Sequence, residues 1–169
     1  LKNLERLAST ISYPVVVKAQ VQTGGRGKAG GILFANDEKE LSAASKKIMG
    51  MDIKGHKVEK LLVVEKMEAS TEWYLSIMLD RFSKCPIVIF SPVGGMEIEE
   101  TARTTPHKVI KASIDPLIGV KDYLPRYLLS KSGCEMQYLE QLFALLQDLY
   151  RLFCEVDCLL VEINPLVIS

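Results

Sequence analysis

Alternating apolar and polar positions predict a β-strand from Tyr13 to Val21. The run Val15-Val16-Val17 is β-branched, and such side chains suit a pleated surface. Side chains alternate across a strand. One face therefore carries the apolar positions Val15, Val17, Ala19 and Val21, and the other face carries Val16, Lys18 and Gln20. A lysine held on a partly buried strand face is costly unless it meets an anion.

A glycine-rich loop follows this strand, over Gln22 to Gly30, and Gly31 to Ala35 returns as a second strand. Glycines allow backbone dihedrals that let successive N–H groups point into one concavity and hold phosphate. Arg26 and Lys28 add positive charge to the loop. The spacing fits neither the usual phosphate loop nor a dinucleotide fingerprint. The alternative is a mobile glycine hairpin with solvated cations.

The remaining pattern predicts an α+β fold with a mixed, mostly antiparallel sheet and packed helices. An apolar run predicts a central strand, and three further segments have strand-like patterns. These strands cover 58–64, 72–80, 86–91 and 158–164. Three-four spacing predicts helices ending near residue 11 and over 37–49, 123–131 and 136–153. Asp37 and Glu40 have the spacing of a capping box, and Asp52 to Lys57 is predicted to be a surface turn.

Three ordered segments resemble the β subunit of succinyl-CoA synthetase. They are Val17–Val21 with Gly24–Gly31, then Gly94–Glu99, and finally Val161–Val167. The resemblance implies an ATP-grasp fold, with residues 1–169 forming an ATP-grasp nucleotide-binding domain. It also implies a chain truncated at both ends, from which the CoA-ligase half is absent.

The resemblance implies roles for individual residues around a nucleotide. Lys18 matches a lysine that contacts the phosphates, and Gly25, Arg26 and Gly27 match a loop that closes over them. Glu72, in Glu-x-Tyr-Leu, matches a glutamate near the ribose. A further upstream acid falls at Val64 or Glu65, depending on a one-residue shift. These are the cofactor-binding candidates: Lys18, Gly25, Arg26, Gly27, Glu65 and Glu72.

Glu162 and Asn164 are the metal-binding candidates. Both carry oxygen atoms on one strand face, which suits a hard cation, and the resemblance makes the asparagine a Mg²⁺ ligand. A further acidic ligand of the family lies beyond Ser169. Glu162 has an alternative role as a strand-face partner of Lys18. No residue is predicted to be catalytic, and neither His56 nor His107 is expected to carry a phosphoryl group, because the family's histidine belongs to the α subunit.

The resemblance implies an acid–CoA ligase that couples phosphoryl transfer to acyl-CoA formation with an α subunit. Its cofactors would be Mg²⁺ and ATP or ADP, with GTP or GDP left open. The chain alone is expected to bind nucleotide without turnover. Two alternatives stay open: another ATP-grasp ligase joining a carboxylate to an amine, and a non-catalytic module that binds a partner subunit.

Composition adds exclusions. Lys and Arg number 21, as do Asp and Glu, so the net charge is zero, and nothing global favours nucleic acid or a membrane surface as partner. No apolar run is long enough to span a bilayer. The four cysteines lack zinc-site spacing and are expected to be buried free thiols. The compartment is expected to be the cytoplasm, or the mitochondrial matrix in a eukaryote.

Overall fold

The computed structural model describes residues 10–67, 70–95 and 98–168. The chain forms two compact units, residues 1–68 and residues 69–169, and each is described by itself. The helix predicted to end near residue 11 falls mainly on residues 1–9, outside the described residues. Within the described ranges the elements are mixed helices and antiparallel strands, as the α+β prediction requires.

The first unit is built on a three-stranded antiparallel sheet. Its elements are β1 (Val15–Gln20), β2 (Ile32–Ala35), α1 (Glu38–Ile48), β3 (Asp52–Ile53), β4 (His56–Lys57) and β5 (Lys60–Glu65). The strand order is β2-β1-β5. The predicted strand around Lys18 is confirmed and is central. The prediction that the run ending at Val64 is a central strand is wrong, because β5 lies at the sheet edge.

The core of the first unit lies on one face of β1. Val15, Val17 and Ala19 are fully buried and belong to one cluster with Leu41 and Ile48 of α1. This is the apolar face that alternation predicts. Helix α1 begins as predicted, since the Asp37 carboxylate accepts a hydrogen bond from the Glu40 amide at 2.7 Å. The capping interaction satisfies an amide that the helix itself leaves without a partner.

A short hairpin replaces the surface turn predicted between Asp52 and Lys57. Strands β3 and β4 pair Ile53 with His56 around the two-residue turn Lys54-Gly55. Both turn residues have positive φ, 53° and 83°, which is the backbone of a primed hairpin turn. The turn was predicted and the strand pair was missed, because two residues a side are too few to show alternation.

The second unit contains a four-stranded antiparallel sheet in the order β8-β7-β6-β9. Its strands are β6 (Thr71–Asp80), β7 (Cys85–Ser91), β8 (Ile110–Ser113) and β9 (Leu160–Ile168). Its helices are α2 (Ile98–Thr104), α3 (Tyr123–Ser132) and α4 (Leu139–Glu155), with single 3₁₀ turns at Pro106–Lys108 and Met136–Tyr138. Helix α3 ends as predicted at Gly133, whose φ is +74°.

One face of β6 forms the core of the second unit with α3 and α4. Trp73, Leu75 and Ile77 are buried there, and the Trp73 ring packs edge-on against Phe90 with centroids 5.3 Å apart. Alternation predicts this face, but Leu79, the fourth member, is 42% exposed. Tyr74 and Ser76 on the opposite face are also buried, so both faces of β6 are covered near its middle.

The four cysteines are free, as predicted. The expectation that they are buried is wrong: Cys154 is exposed and the other three are half-buried. Within the described ranges, no helix combines the length and apolar content needed to cross a membrane.

Candidate functional site

Lys18 lies on the outer face of the first unit's sheet, within an apolar surface. The register places it between Ile32 of β2 and Leu62 of β5, and the next row on this face is Phe34, Val16 and Val64. Residues directly opposite in adjacent strands share a face. Phe34 is 61% exposed and Leu62 is 44% exposed, while Lys18 is half-buried. The two rows around Lys18 are therefore apolar, while Gln20 and Lys60 form the next row of the same face and the Lys66 ammonium lies 5.4 Å from the centroid of the Phe34 ring.

The glycine loop folds as a single helical turn. The amide of Ala29 donates to the Gly25 carbonyl at 3.1 Å, Gly30 donates to Gly27 at 3.0 Å, and Gly31 donates to Arg26 at 2.8 Å. Gly30 has φ +77°. This combination of a left-handed residue with a six-to-one hydrogen bond is the Schellman ending of a helix. The loop is therefore a hydrogen-bonded helical turn that leads directly into β2.

Arg26 connects this turn to β1. Its Nη1 donates to the carbonyl of Ala19 at 3.1 Å, and the Ala19 amide donates to the Gly31 carbonyl at 2.7 Å. A guanidinium has five N–H donors, so this bond engages one of them. Ala19 follows Lys18 directly, and the turn is therefore attached to the strand beside the lysine.

Glu65 is the last residue of β5, and its carboxylate has a hydrogen-bond partner in the same unit. Its Oε1 accepts a hydrogen bond from the Ser12 amide at 3.1 Å, and the following amide, of Lys66, donates to the Pro14 carbonyl at 2.7 Å. Glu65 therefore holds the segment that leads into β1, whereas Val64 lies on the outer face with Val16. Val64 and Glu65, the two positions left open for the upstream acid, are thus structurally different. The Glu65 carboxylate already accepts a hydrogen bond from the backbone amide of Ser12.

Glu162 is held by Tyr74 in the second unit. The Tyr74 hydroxyl donates to Glu162 Oε2 at 3.0 Å, and the Tyr74 side chain is 3% exposed. The pKa of Tyr74 is raised to about 12, chiefly by burial and also by the charge and hydrogen bond of Glu162, while the nearby Ser76 hydroxyl acts in the opposite direction. The phenol therefore stays protonated and remains a donor at neutral pH.

Asn164 sits at a β-bulge in β9. Ile163 pairs with Leu75 and Leu166 pairs with Trp73, so Asn164 and Pro165 together stand opposite Tyr74. Two residues facing one residue is the definition of a bulge, and bulges next to functional sites commonly re-aim a side chain. Glu162 and Asn164 are both in the part of β9 that faces Tyr74 and Ser76, as the alternation predicted for one strand face.

Asn164 and Glu72 meet at the turn Gly94-Gly95. The Gly95 amide donates to Asn164 Oδ1 at 3.0 Å, the Gly94 amide donates to the Glu72 carbonyl at 2.7 Å, and the Glu72 carboxylate packs against Gly95. Sequence reasoning placed Gly94 and Gly95 in the resemblance without giving them a role. The signal was the Gly-Gly pair itself, which is typical of a close backbone approach.

The comparisons with known proteins identify the family. The family model described as an ATP-grasp domain matches residues 1–168. The chain belongs to the ATP-grasp family.

Curated relatives of this ATP-grasp chain confirm the resemblance to the succinyl-CoA synthetase β subunit. It is 43% identical over 164 residues to the succinate–CoA ligase [ADP-forming] subunit beta of Rubrobacter xylanophilus, covering 97% of this chain and 43% of that protein. The Pyrobaculum islandicum subunit is 44% identical over 168 residues, covering 98% and 44%. The chain thus spans less than half the length of these relatives.

Solved structures confirm the ATP-grasp fold. An acetyl-coenzyme A synthetase of Ca. Korarchaeum cryptofilum superposes with a TM-score of 0.73 at 17% identity, covering 98% of this chain and 75% of that one. The ATP citrate lyase of Methanothrix soehngenii gives a TM-score of 0.65 at 22% identity, covering 99% and 38%. At these identities the likeness concerns the fold.

The ATP-grasp family implies a nucleotide and Mg²⁺, and the donor set of the second unit fits that cation. Glu162 and Asn164 offer a carboxylate and an amide oxygen, the hard donors that Mg²⁺ takes. Among the described residues, no three of His, Cys, Asp and Glu cluster tightly enough to hold a metal alone. Mg²⁺ usually keeps several waters and binds through one or two protein groups together with phosphate oxygens, and a pair of protein oxygens is compatible with that pattern.

The two histidines of this ATP-grasp chain are both exposed. His56 lies in β4, and His107 lies in the 3₁₀ turn before β8. That neither carries a phosphoryl group stays a prediction.

Proposed function

We propose that this chain is the nucleotide-binding part of an acid–CoA ligase β subunit of the succinyl-CoA synthetase type, which binds Mg²⁺ with ATP or ADP. The observation that carries the proposal is Lys18, whose ammonium lies on an open apolar face beside the ordered glycine turn. A face with apolar rows around a lysine suits a ligand that has a flat base and a charged phosphate tail. The identity of 43–45% to succinate–CoA ligase β subunits over nearly the whole chain supports the same ligand class.

Lys18 would act on the phosphates as a compact point charge. The amides at the start of the Gly25–Gly30 turn would add hydrogen bonds, because the first N–H groups of a helical turn have no partner within it. Arg26 and Gly27 belong to that turn, and its closure over the phosphates would exclude water from them. These groups neutralise and orient the phosphates, which is the main requirement of phosphoryl transfer.

The residues that the resemblance matches to the cation and the ribose belong to the second unit. Glu162 and Asn164 would hold Mg²⁺, which when bound neutralises charge on the phosphate oxygens. Tyr74 would keep the Glu162 carboxylate in one orientation through its hydrogen bond. Glu72 would accept hydrogen bonds from ribose hydroxyls. The upstream base contact would come from the end of β5, at Val64 or Glu65.

The whole protein would join a carboxylic acid to coenzyme A with a nucleoside triphosphate, in a complex with an α subunit. The curated relatives are named as succinate–CoA ligase beta subunits, and this chain covers less than half of them, so acyl-CoA chemistry would require parts beyond it. The cytoplasm is the compartment that we propose. The relatives come from bacteria and archaea, which gives the mitochondrial alternative no support.

The test is thermal unfolding of the chain with and without Mg²⁺ plus ADP, ATP or GDP. A ligand that binds the native state stabilises it by about 2.7 kcal/mol when its concentration is 100 times Kd. We expect the midpoint to rise with ADP or ATP, and we expect Lys18→Ala to abolish that rise. Lys57→Ala is the matched control, because Lys57 is an exposed lysine of the same unit in β4; it should leave the rise unchanged.

The outcomes separate the proposal from its rivals. A rise that Lys18→Ala does not reduce would contradict the phosphate role of this residue. No rise with any nucleotide, together with binding to an α subunit, would favour a non-catalytic interaction module. Capture of the acyl phosphate by an amine instead of coenzyme A in the whole enzyme would favour the carboxylate–amine ligase. A larger rise with GDP than with ADP would overturn the adenine preference that the relatives' names suggest.

A further inference from the structure

We propose that the turn Gly94-Gly95 is a positioning element that holds the side-chain amide of Asn164 in one orientation for its use as a Mg²⁺ ligand, and links it to Glu72. The inference rests on the proposed function for the identity of the cation, and on the geometry of the second unit for the linkage. The turn contacts the backbone carbonyl and the side chain of Glu72 in β6. It also contacts β9, because the Gly95 amide donates to the side-chain oxygen of Asn164.

Gly94 is required because the turn lies directly on the backbone of β6. Its amide donates to the Glu72 carbonyl at 2.7 Å. A Cβ at this position would lie 2.6 Å from the Trp73 carbonyl carbon and against the Trp73 carbonyl oxygen. Backbone atoms of a paired strand cannot move aside as the end of a flexible side chain can. Any residue with a Cβ would therefore push the turn away from β6.

Gly95 is required for a different reason. Its φ is +73°, and a Cβ would overlap the Glu72 carboxylate. Its amide is the group that donates to Asn164 Oδ1 at 3.0 Å. Because the donor is an N–H group, the amide oxygen of Asn164 must face it, and the orientation of the whole side-chain amide follows. The turn therefore determines where the oxygen that suits Mg²⁺ is placed.

The hydrogen bond from the Gly95 amide to Asn164 Oδ1 lies at the bulge of β9, where regular strand pairing is interrupted. Asn164 shares its position opposite Tyr74 with Pro165, so no regular ladder partner specifies the direction of its side chain. Glu162, two residues earlier, takes its orientation from Tyr74. A donor from a neighbouring segment thus contacts each metal candidate: the Tyr74 phenol donates to Glu162, and the Gly95 amide donates to Asn164. Outer partners of this kind typically control metal affinity.

The experiment measures Mn²⁺, used as a probe for Mg²⁺, by the decrease of its free EPR signal on titration with the chain and ADP. We expect Gly94→Ala to weaken Mn²⁺ binding by about 10- to 100-fold, the usual cost of losing an outer partner of a metal ligand. The affinity for ADP in the presence of EDTA should change less than the affinity for Mn²⁺, because Lys18 and the glycine turn belong to the other unit and only the Glu72 contact with the ribose adjoins the substituted turn. A general loss of folding would lower both affinities together.

A double-mutant cycle tests whether Gly94 acts through Asn164. Asn164→Ala should weaken Mn²⁺ as Gly94→Ala does, and the double variant should show little further loss, since both changes remove the same interaction. Gly133→Ala is the matched control: Gly133 has φ +74° and no atom within 4 Å of its Cβ position. It adds a Cβ to a glycine of the same unit at which no neighbouring atom has to move, and it should leave Mn²⁺ affinity unchanged. Unchanged Mn²⁺ affinity in Gly94→Ala, or additive losses, would overturn the inference.

Amide exchange at Gly95, measured by NMR in the absence of ligand, separates this inference from the proposed function. Asn164→Ala should accelerate exchange of the Gly95 amide, because its acceptor is lost. An unchanged exchange rate of the Gly95 amide in Asn164→Ala would overturn the positioning role. This holds even if the chain binds nucleotide, and it does not depend on whether Gly94→Ala folds. Failure of the unmodified chain to bind Mn²⁺ with ADP would instead contradict the proposed function and the metal role, while faster exchange would still support the linkage.

Discussion

At the scale of single residues, the candidate site depends on hydrogen bonds between distant parts of the chain. Tyr74 and Glu162 are 88 residues apart, and Gly95 and Asn164 are 69 residues apart. In each pair a donor that cannot change partner easily, a buried phenol or a backbone amide, orients an oxygen that could bind a cation. The orientation of the candidate ligands therefore depends on the groups that donate hydrogen bonds to them, the Tyr74 hydroxyl and the Gly95 amide.

Tyr74→Phe tests the first of these pairs. At neutral pH the change removes one hydrogen bond to Glu162, and we expect a loss of about 1 kcal/mol in the free energy of unfolding. The pKa of Tyr74 is raised from 10 to about 12, so the folded state holds this proton more tightly than the unfolded state. The resulting stability is present below pH 10 and is lost as pH rises from 10 to about 12.

The measurement is urea unfolding from pH 7 to pH 12. The unmodified chain should lose more stability between pH 10 and 12 than Tyr74→Phe loses. Tyr123→Phe is the control, because Tyr123 is 52% exposed on α3, and it should follow the unmodified chain over the whole range. Parallel curves for Tyr74→Phe and the unmodified chain above pH 10 would show that this phenol is not held in its protonated form by the fold.

Sequence reasoning reached some of these residues and missed others for a physical reason. Alternation alone put Lys18 on the face opposite the core, because side-chain direction in a strand is a local property. The Gly95 and Tyr74 contacts depend on strand register and on the bulge at Asn164. Neither is encoded in a short window of sequence, so the roles of Gly94, Gly95 and Tyr74 became visible with the fold.

At the scale of elements, helix ends and most strands are predicted well, whereas the two-residue strands β3 and β4 and the edge position of β5 are not. The Asp37 cap and the Gly133 ending each involve residues within a few positions of one another. The place of β5 depends on which strands pair with β1, a long-range matter, and its apolar run gave the wrong expectation of a central strand. The exposed apolar residues of β5 instead belong to the face around Lys18.

The glycine turn permits a prediction at this scale. A Cβ on Gly31 would lie 2.7 Å from Ile53 Cδ1, 3.0 Å from the Arg26 carbonyl oxygen and 3.1 Å from Ala19 Cβ. Gly31→Ala should therefore destabilise the first unit by about 1–3 kcal/mol, the usual cost of overpacking, and should displace the turn. The expected result is a lower urea midpoint and weaker binding of ADP measured by calorimetry.

Gly24→Ala in the same loop is the matched comparison. No atom lies within 4 Å of its Cβ position, and alanine restricts the unfolded chain, so its stability should be equal or slightly higher. Equal effects of the two substitutions would show that the close approach at Gly31 is not what the fold requires. A destabilised Gly31→Ala chain that binds ADP normally would separate the packing role of this glycine from the position of the turn.

At the scale of the whole molecule, the chain has two hydrophobic cores, one in each compact unit. Leu41 of α1 is fully buried in the first core, and Leu146 of α4 is fully buried in the second. The candidate phosphate residues belong to the first unit and the candidate metal residues to the second. Local patterns predicted both buried helix faces but gave no sign of the two compact units, and that residues 1–169 form one ATP-grasp nucleotide-binding domain stays a prediction.

Two core variants test whether each core serves its own unit. Leu41→Ala and Leu146→Ala each remove a buried side chain, and each should cost about 2–5 kcal/mol. If stability is local to a unit, Leu41→Ala should accelerate amide exchange in β1 and α1 and leave α4 nearly unchanged, with the reverse for Leu146→Ala. Hydrogen–deuterium exchange followed by mass spectrometry resolves these elements. Exchange that accelerates equally throughout both units would mean that they unfold as one cooperative body. A substitution in either core would then lower the affinities for nucleotide and cation together. Confined effects would mean that nucleotide and cation affinities can be altered separately through the two cores.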